Sequence, residues 1–403
     1  MRIATSNMFD TSISTLQRRQ EMLQDSQQRL TSGKRVQLAS DDPTAAARAE
    51  RSLSAIGRID ANQRALEASR NSLTLGESAL GDATEIMQQV RESMVAAGNA
   101  SYSDNERRGL ADKIAGLRDQ LLAIANRPDG GGGFLFGGQG SANPPFLDQP
   151  GGVSYTGVPG QIATGNLDSF PLTVDGRAAW EQARTGNGSF VTESLPNLNT
   201  GAPAKSWIDA GRVTNPSLLT DNSYQIQISG TGAGASYTVI NTTTGGIVAT
   251  AAFASGKAIE FDGMAVTLSG AAEDGDQFSI NPSTASLKLF DVLDRAVSEL
   301  RTPLRNNVQI AQSNIGRIRD IEALIGNMQS TRSQIGERMN NLDGTESRMA
   351  DQKLYNQSEQ SAAEDVDMVQ SISDFQNQQS GYDAALKTYA LVQRMSLFQY
   401  INS

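Results

Sequence analysis

The chain has 403 residues, a formal net charge of −10 from 34 basic and 44 acidic side chains, and neither cysteine nor histidine. Those counts exclude disulfides, thiolate nucleophiles, Cys- or His-ligated metals and His-based triads. The net charge also argues mildly against a nucleic-acid partner, which wants a basic face; carboxylate or Ser–Lys chemistry is not excluded.

The N-terminal stretch Met1–Asp10 has no apolar h-region, so no Sec signal peptide is expected. No window approaches 18 consecutive apolar residues, so no membrane-spanning helix is expected. Ile13, Leu16, Gln20, Leu23, Gln27 and Leu30 then alternate by three and four, a helical stripe with glutamine at two of its seam positions. Ser40-Asp41-Asp42-Pro43 reads as a helix start, with Asp42 as N-cap and Pro43 at the first helical position. From about Thr44 to Ala97, Ile59, Leu66, Leu73, Leu80, Met87 and Met94 recur every seven residues. Asn62, Ser69, Gly76, Ala83, Val90 and Ala97 lie between them, giving a heptad seam of large residues facing small ones. At 1.5 Å per residue this helix would run on the order of 80 Å. Ser103 and Glu106 form a capping-box pattern ahead of Leu110, Ile114, Leu117, Leu121 and Ile124, and the run stops at Arg127-Pro128-Asp129.

A composition shift follows. Of the 38 glycines, 26 lie between Asp129 and Thr284, and ten of the 12 prolines lie between Pro128 and Pro282. Helix breakers are thus central, and the flanks are free to be continuous helix. Residues 137–211 give no resolved pattern. Beyond them, Tyr224–Ser229, Tyr237–Asn241, Ile247–Phe253, Ala258–Phe261, Ala265–Leu268 and Gln277–Ile280 read as strands joined by Gly-rich or Asp-Gly turns. Gly230-Thr-Gly-Ala-Gly234 joins strand to strand, so it is a hairpin connection and not a phosphate loop, which would open a helix. Glu273-Asp-Gly-Asp276 lacks the spaced ligands of a calcium loop and reads as a turn.

The C-terminal flank resumes helical spacing at Leu304, Val308, Ala311, Ile315 and Ile318, and continues through Ile325, Met328, Ile335, Met339 and Leu342. A last helix is expected from about Asp365 to Ile401, with a thin apolar stripe. The fold class is α+β: a discontinuous long-helix domain from both chain ends with an inserted β-rich domain. The expected divisions are terminal coiled-coil segments 1–43 and 362–403, a helical bundle 44–136 and 285–361, and an outer domain 137–284. The Gln/Ser/Asn-rich ends are expected to be disordered in the monomer and to pair on assembly. No residue constellation singles out a catalytic, cofactor or metal site, and a structural rather than enzymatic role is expected.

Arg29-Leu-Thr-Ser-Gly-Lys-Arg-Val36 with Ala39-Ser-Asp-Asp-Pro-Thr-Ala-Ala46 resembles the N-terminal signature of flagellins and their filament-junction relatives. Asp365-Val-Asp-Met-Val369, Gln376-Asn-Gln-Gln-Ser380 and Ser396-Leu-Phe-Gln-Tyr-Ile401 resemble the matching C-terminal one, and Phe134-Leu-Phe-Gly-Gly138 sits where that family places an aromatic–Gly turn. The start Met-Arg-Ile-Ala-Thr, the ending Tyr-Ile-Asn-Ser and the insert segments Ile259–Gly263, Val266–Gly270 and Gly275–Ser283 are similar to the hook-associated branch that joins hook to filament. The resemblance implies a junction adaptor, exported by the flagellar type III route to the extracellular flagellum. It would contact the preceding hook-associated protein and flagellin, self-associate in a ring, and bind an export chaperone beforehand. The implied assembly contacts are Ile13, Leu16, Leu23 and Leu30 with Leu386, Leu391, Leu397 and Ile401. Flagellin itself is the alternative within the family. An exported enzyme with a catalytic insert, or an adhesin or immune-sensing ligand, are the readings outside it.

Overall fold

The computed structural model describes residues 2–138, 143–158, 161–163, 169–171 and 174–401, with the side chains of 2–9, 161–163, 169–171 and 392–401 outside that description. Its contacts divide into two units, Met1–Gln63 with Thr345–Ser403, and Arg64–Gly344. The helices are α1 (Arg2–Ser32), α2 (Pro43–Ala97), α3 (Asp104–Ala125), α4 (Gly176–Trp180), α5 (Leu289–Arg301), α6 (Asn307–Glu364) and α7 (Met368–Ile401).

The heptad seam of α2 is buried along its length, from Ile59 and Leu66 through Leu73, Leu80, Met87 and Met94. In the larger unit, ion pairs of Arg70 with Asp343, Arg91 with Glu322 and Arg332 with Glu77 flank the seam and fix α6 antiparallel to α2. The small seam residue Gly76 serves a neighbour other than a helix: a Cβ there would lie 2.4 Å from Cγ2 of Val174. α3 opens with the reciprocal Ser103–Glu106 capping box and buries Ile114, Leu117, Leu121 and Ile124.

Two expectations for the C-terminal flank are corrected. Leu304 is not helical: it is 92% exposed and takes a φ of +61°. Pro303 is the cause, because it drives Thr302 out of helical geometry (ψ 117°) and ends α5 at Arg301. Of the expected α6 stripe, Val308, Ala311, Ile315, Ile318 and Met339 are only half-buried, whereas Ile325, Met328, Ile335 and Leu342 are core residues, joined by Ile310, Ile321 and Leu324. α5 itself is strongly amphipathic, burying Leu289, Phe290, Val292, Leu293, Ala296, Val297 and Leu300.

The stretch that showed no pattern in the sequence contains short strands. β1 (Phe146–Gln149) and β2 (Gly152–Tyr155) form a hairpin, β3 (Gln161–Ala163) pairs with β4 (Ser169–Pro171), and β5 (Ala183–Arg184) pairs with a strand near the end of the insert. An aromatic cluster seats the first hairpin. The Trp180 ring stacks on Phe290 at 6.0 Å and 6°, meets Phe136 edge-on at 5.5 Å, and lies 5.9 Å from Phe146. The Tyr155 hydroxyl donates to the Phe136 carbonyl at 3.0 Å, and burial pushes its pKa up to about 12. Arg118 of α3 clamps the hairpin to α5, donating to both carboxylate oxygens of Asp148 (2.7 and 2.9 Å) and to Asp294 (2.6 Å).

The Arg118 hydrogen bonds hold the Asp148 carboxyl below its ordinary pKa. Its folded value is therefore lower than its unfolded one, near 3.9. The resulting stabilisation is complete above about pH 4. It is lost as pH falls through the folded value. Thermal melts of wild type and Asp148→Asn should show the wild type losing its advantage only below about pH 4; a constant difference between the two down to acid pH would refute this account.

The rest of the insert is a β-sandwich. Its strands are β6 (Phe190–Leu195), β7 (Ser206–Ile208), β8 (Arg212–Val213), β9 (Tyr224–Ser229), β10 (Ser236–Asn241), β11 (Ile247–Ala252), β12 (Ala258–Phe261), β13 (Met264–Gly270) and β14 (Gln277–Pro282); β15 (Ala285–Leu287) is the partner of β5. One antiparallel sheet runs β11-β10-β9-β14-β6, the other β12-β13-β7 with β8 beside β13. Alternate residues of both, including Tyr224, Ile226, Ile228, Val239, Ile259, Val266, Leu268, Phe278 and Ile280, form one core. The strands read from sequence between Tyr224 and Ile280 are all present, within one or two residues at their ends. Asp262-Gly263, both at positive φ, make the two-residue turn between β12 and β13. Gly230–Gly234 connects β9 to β10. In the Glu273–Asp276 turn the buried Asp276 carboxylate accepts from Asn197 Nδ2, Ser206 Oγ and the backbone of Lys205 and Glu273.

Candidate assembly surface

The smaller unit is built on a crossing of the chain with itself. α1 ends at Gly33, whose φ of +69° lets its N–H return to the Arg29 carbonyl as a helix cap. The chain then meets the far end of the sequence in an antiparallel bridge between Lys34 and Asp365. Arg35 N–H donates to the Glu364 carbonyl at 2.6 Å, Val366 N–H to the Gly33 carbonyl at 3.0 Å, and the Arg35 guanidinium to the Ala363 carbonyl at 2.9 Å. Lys34 Nζ lies 2.6 Å from Glu364, and this hydrogen bond raises the Lys34 pKa. Beneath the bridge a small core of Val36, Ala45, Ala49 and Ala363 closes the joint.

The Ser40–Pro43 start behaves as its sequence suggests. Asp42 Oδ1 accepts from the N–H groups of Ala45 (3.0 Å) and Thr44 (3.1 Å), with Pro43 opening α2. Asp41 turns back to the N–H groups of Leu38 (3.0 Å) and Gln37 (3.1 Å). Both carboxyls are held below the usual range, Asp41 chiefly by Leu38 and Asp42 chiefly by Ala45. The acidic pair is therefore consumed in setting the chain direction.

From the joint, α1 and α7 run antiparallel along one another, close enough that Gly381 faces the Arg19 guanidinium. Leu16, Leu23 and Leu30 are half-buried on α1, whereas Ile13 is 40% exposed. On α7, Leu386 is 41% and Leu391 61% exposed. The backbones of Leu397 and Ile401 belong to α7, but their side chains lie outside the described residues. Gln20 and Gln27, read as seam positions, are exposed in the single chain. Sequence reasoning passed over Met22, Leu38, Leu53, Leu354, Tyr355, Val369 and Ile372, which are also exposed in this unit. Each is an isolated large apolar group on a polar helix or turn, without the spacing that marked Leu16, Leu23 and Leu30. Chemically this surface can bury apolar area against other helices; among its described residues no cluster suited to a metal ion occurs.

Residues 3–141 match the family model described as the bacterial flagellin N-terminal helical region. Over its full length the chain is similar to flagellar hook-associated protein 3 of Salmonella typhimurium, at 27% identity covering 99% of each chain. The crystal structure of the flagellar junction protein FlgL from Legionella pneumophila superposes with a TM-score of 0.66 at 26% identity, covering 79% of this chain and 100% of that one. Similarity to polar flagellin F of Vibrio parahaemolyticus is 32% but spans 29% of this chain and 31% of that protein.

Proposed function

We propose that this chain, which belongs to the flagellin-like hook-associated proteins of the FlgL type and is a component of the bacterial flagellum, is the structural adaptor that seats the filament on the hook. The observation that carries the reading is the pairing of its two ends into one antiparallel α1–α7 unit that leaves Ile13, Leu386 and Leu391 exposed. Full-length similarity to hook-associated protein 3, against partial similarity to flagellin, favours the adaptor over the filament subunit.

In this reading the exposed apolar groups of α1 and α7 are covered by the equivalent helices of neighbouring copies. Each buried CH₂ contributes about 0.8 kcal/mol, and the copies close into a ring. One side of the ring meets the preceding hook-associated protein and the other receives the first flagellin subunits. In the free monomer the polar α1–α7 pair opens and disorders, as its Gln- and Ser-rich composition favours, and it re-forms in the paired arrangement when neighbouring copies cover it; an export chaperone holds the C-terminal tail beforehand. Export follows the flagellar type III path to the cell exterior. The role is structural, in keeping with relatives that are structural flagellar proteins.

The test is deletion of the chain from its source organism. Hooks without filaments, and unpolymerised flagellin shed into the medium, are expected. Filaments of normal length would overturn the adaptor role. Loss of filaments with no flagellin in the medium would instead make the chain a filament subunit.

A further inference from the structure

The sandwich has several sheet edges, and they are treated differently. At β6, Arg319 of α6 donates to the Thr192 carbonyl at 3.0 Å. At β7, the Ile208 N–H is taken by Gln312 Oε1 at 2.9 Å. β12 is bracketed by the exposed charges Lys257 and Glu260. Covering an edge, charging it and bulging it are the usual ways of preventing strand addition. β11 is neither covered nor charged, and its one bulge, at Val248, leaves Ala249–Ala252 as regular open edge. It pairs with β10 on one side only, its sequence is Ile-Val-Ala-Thr-Ala-Ala, and every residue except Ala249 is exposed.

The neutrality extends inward. β9, β10, β11 and β14 contain no Asp, Glu, Lys or Arg, in a chain that is 19% charged. On the outer face Gln225 donates to Gln277 at 2.6 Å and Gln227 to Gln225 at 3.0 Å, so the polar groups there satisfy one another. For a protein of charge −10, most contacts between two copies bring like charges together. This face is one that two copies can share without that repulsion.

We infer that the open edge of β11 is a self-association site, at which β11 pairs antiparallel with β11 of a second copy of this chain. The free backbone N–H and C=O groups specify a strand as partner. The neutral composition admits a second copy despite its like net charge, and an antiparallel pair of identical strands closes on a two-fold axis without further growth. The regular stretch Ala249–Ala252 is about 13 Å long at 3.3 Å per residue, so the contact is smaller than the roughly 800 Å² per partner of a stable interface. The pair is therefore weak and concentration-dependent. Being two-fold symmetric, it has no direction, so it belongs to chains not yet built into a polar junction, and it stands or falls apart from the adaptor role.

The absence of native cysteine makes the test clean. The full chain carrying Thr250→Cys should cross-link to a dimer with a short bismaleimide, because residues near the middle of such a pair face their equivalents at about 5 Å. Ser217→Cys, equally exposed but away from the edge, should not. In sedimentation velocity up to about 1 mM, Thr250→Lys should weaken dimerisation by about tenfold or more, since like charges would stand opposite each other. A wild-type chain that stays monomeric throughout that range, a dimer indifferent to Thr250→Lys, or equal cross-linking of the two cysteine variants would each overturn the inference.

Discussion

Replacing Trp180 by alanine is expected to destabilise the larger unit by about 3–5 kcal/mol, the range for removing a large aromatic from a packed core. The indole is fully buried, and it touches residues from separate stretches of sequence: Phe136 after α3, Phe146 in β1 and Phe290 in α5. Its loss opens a cavity where three segments meet, and none of them can close it alone. At about 2–4 °C per kcal/mol for a unit of this size, the melting temperature should fall by roughly 10 °C. Trp180→Phe should be milder, because the cavity it leaves is smaller. It keeps a ring against Phe290, and the indole N–H it removes has no hydrogen-bond partner among the described residues. Calorimetry of the purified chain decides the matter. A Trp180→Ala melting point within about 2 °C of wild type would mean that the cluster does not hold the hairpin in place.

The second large effect concerns assembly and leaves the folded chain intact. The double variant Ile13→Asp, Leu391→Asp should be exported and should melt like the wild type, because both side chains are exposed in the single chain and surface changes stay within about ±0.5 kcal/mol. In the proposed ring each position would forfeit roughly 1.5–3 kcal/mol of apolar burial, and a carboxylate would be buried in its place. At 1.4 kcal/mol per factor of ten, a loss of about 3 kcal/mol weakens each contact more than a hundredfold. Filaments should therefore be absent or rare by electron microscopy, with flagellin in the medium. Gln379→Asp, at an exposed polar position of α7, serves as the control. Normal filaments from the double variant would place the assembly contacts elsewhere on the chain.

How far the sequence can be read depends on whether a segment's partner is regular. The α2 seam is legible because a heptad repeat contacts neighbouring helices at every turn, so periodicity alone identifies Leu66 through Met94. The β9–β14 strands are legible because two-period alternation and Asp-Gly turns are local signals. Residues 137–211 resist because their strands are two to six residues long and take their order from tertiary contacts, such as Arg118 with Asp148 and Asn126 with the Phe146 backbone. In α6 the early positions mislead for a local reason: Pro303 keeps Leu304 out of any helix, and Val308, Ile315 and Ile318 are apolar but only half-buried, so their spacing overstates the buried face. At the candidate surface, Leu16, Leu23 and Leu30 could be found by spacing. Val369 and Leu354 could not, since an isolated apolar residue on a polar helix acquires meaning only when its exposure is known.

The seam that makes α2 so readable has a kinetic consequence. Its flanking ion pairs join residues 231 and 273 positions apart, Arg91 to Glu322 and Arg70 to Asp343. Closing a flexible loop of that length costs roughly 5 kcal/mol of chain entropy before any contact repays it, and topologies dominated by such distant pairs fold slowly. During synthesis the first hundred or so residues carry an apolar stripe whose α6 partner has not yet been made. The long-helix seam thus cannot close until the last quarter of the chain, which carries α6, has emerged.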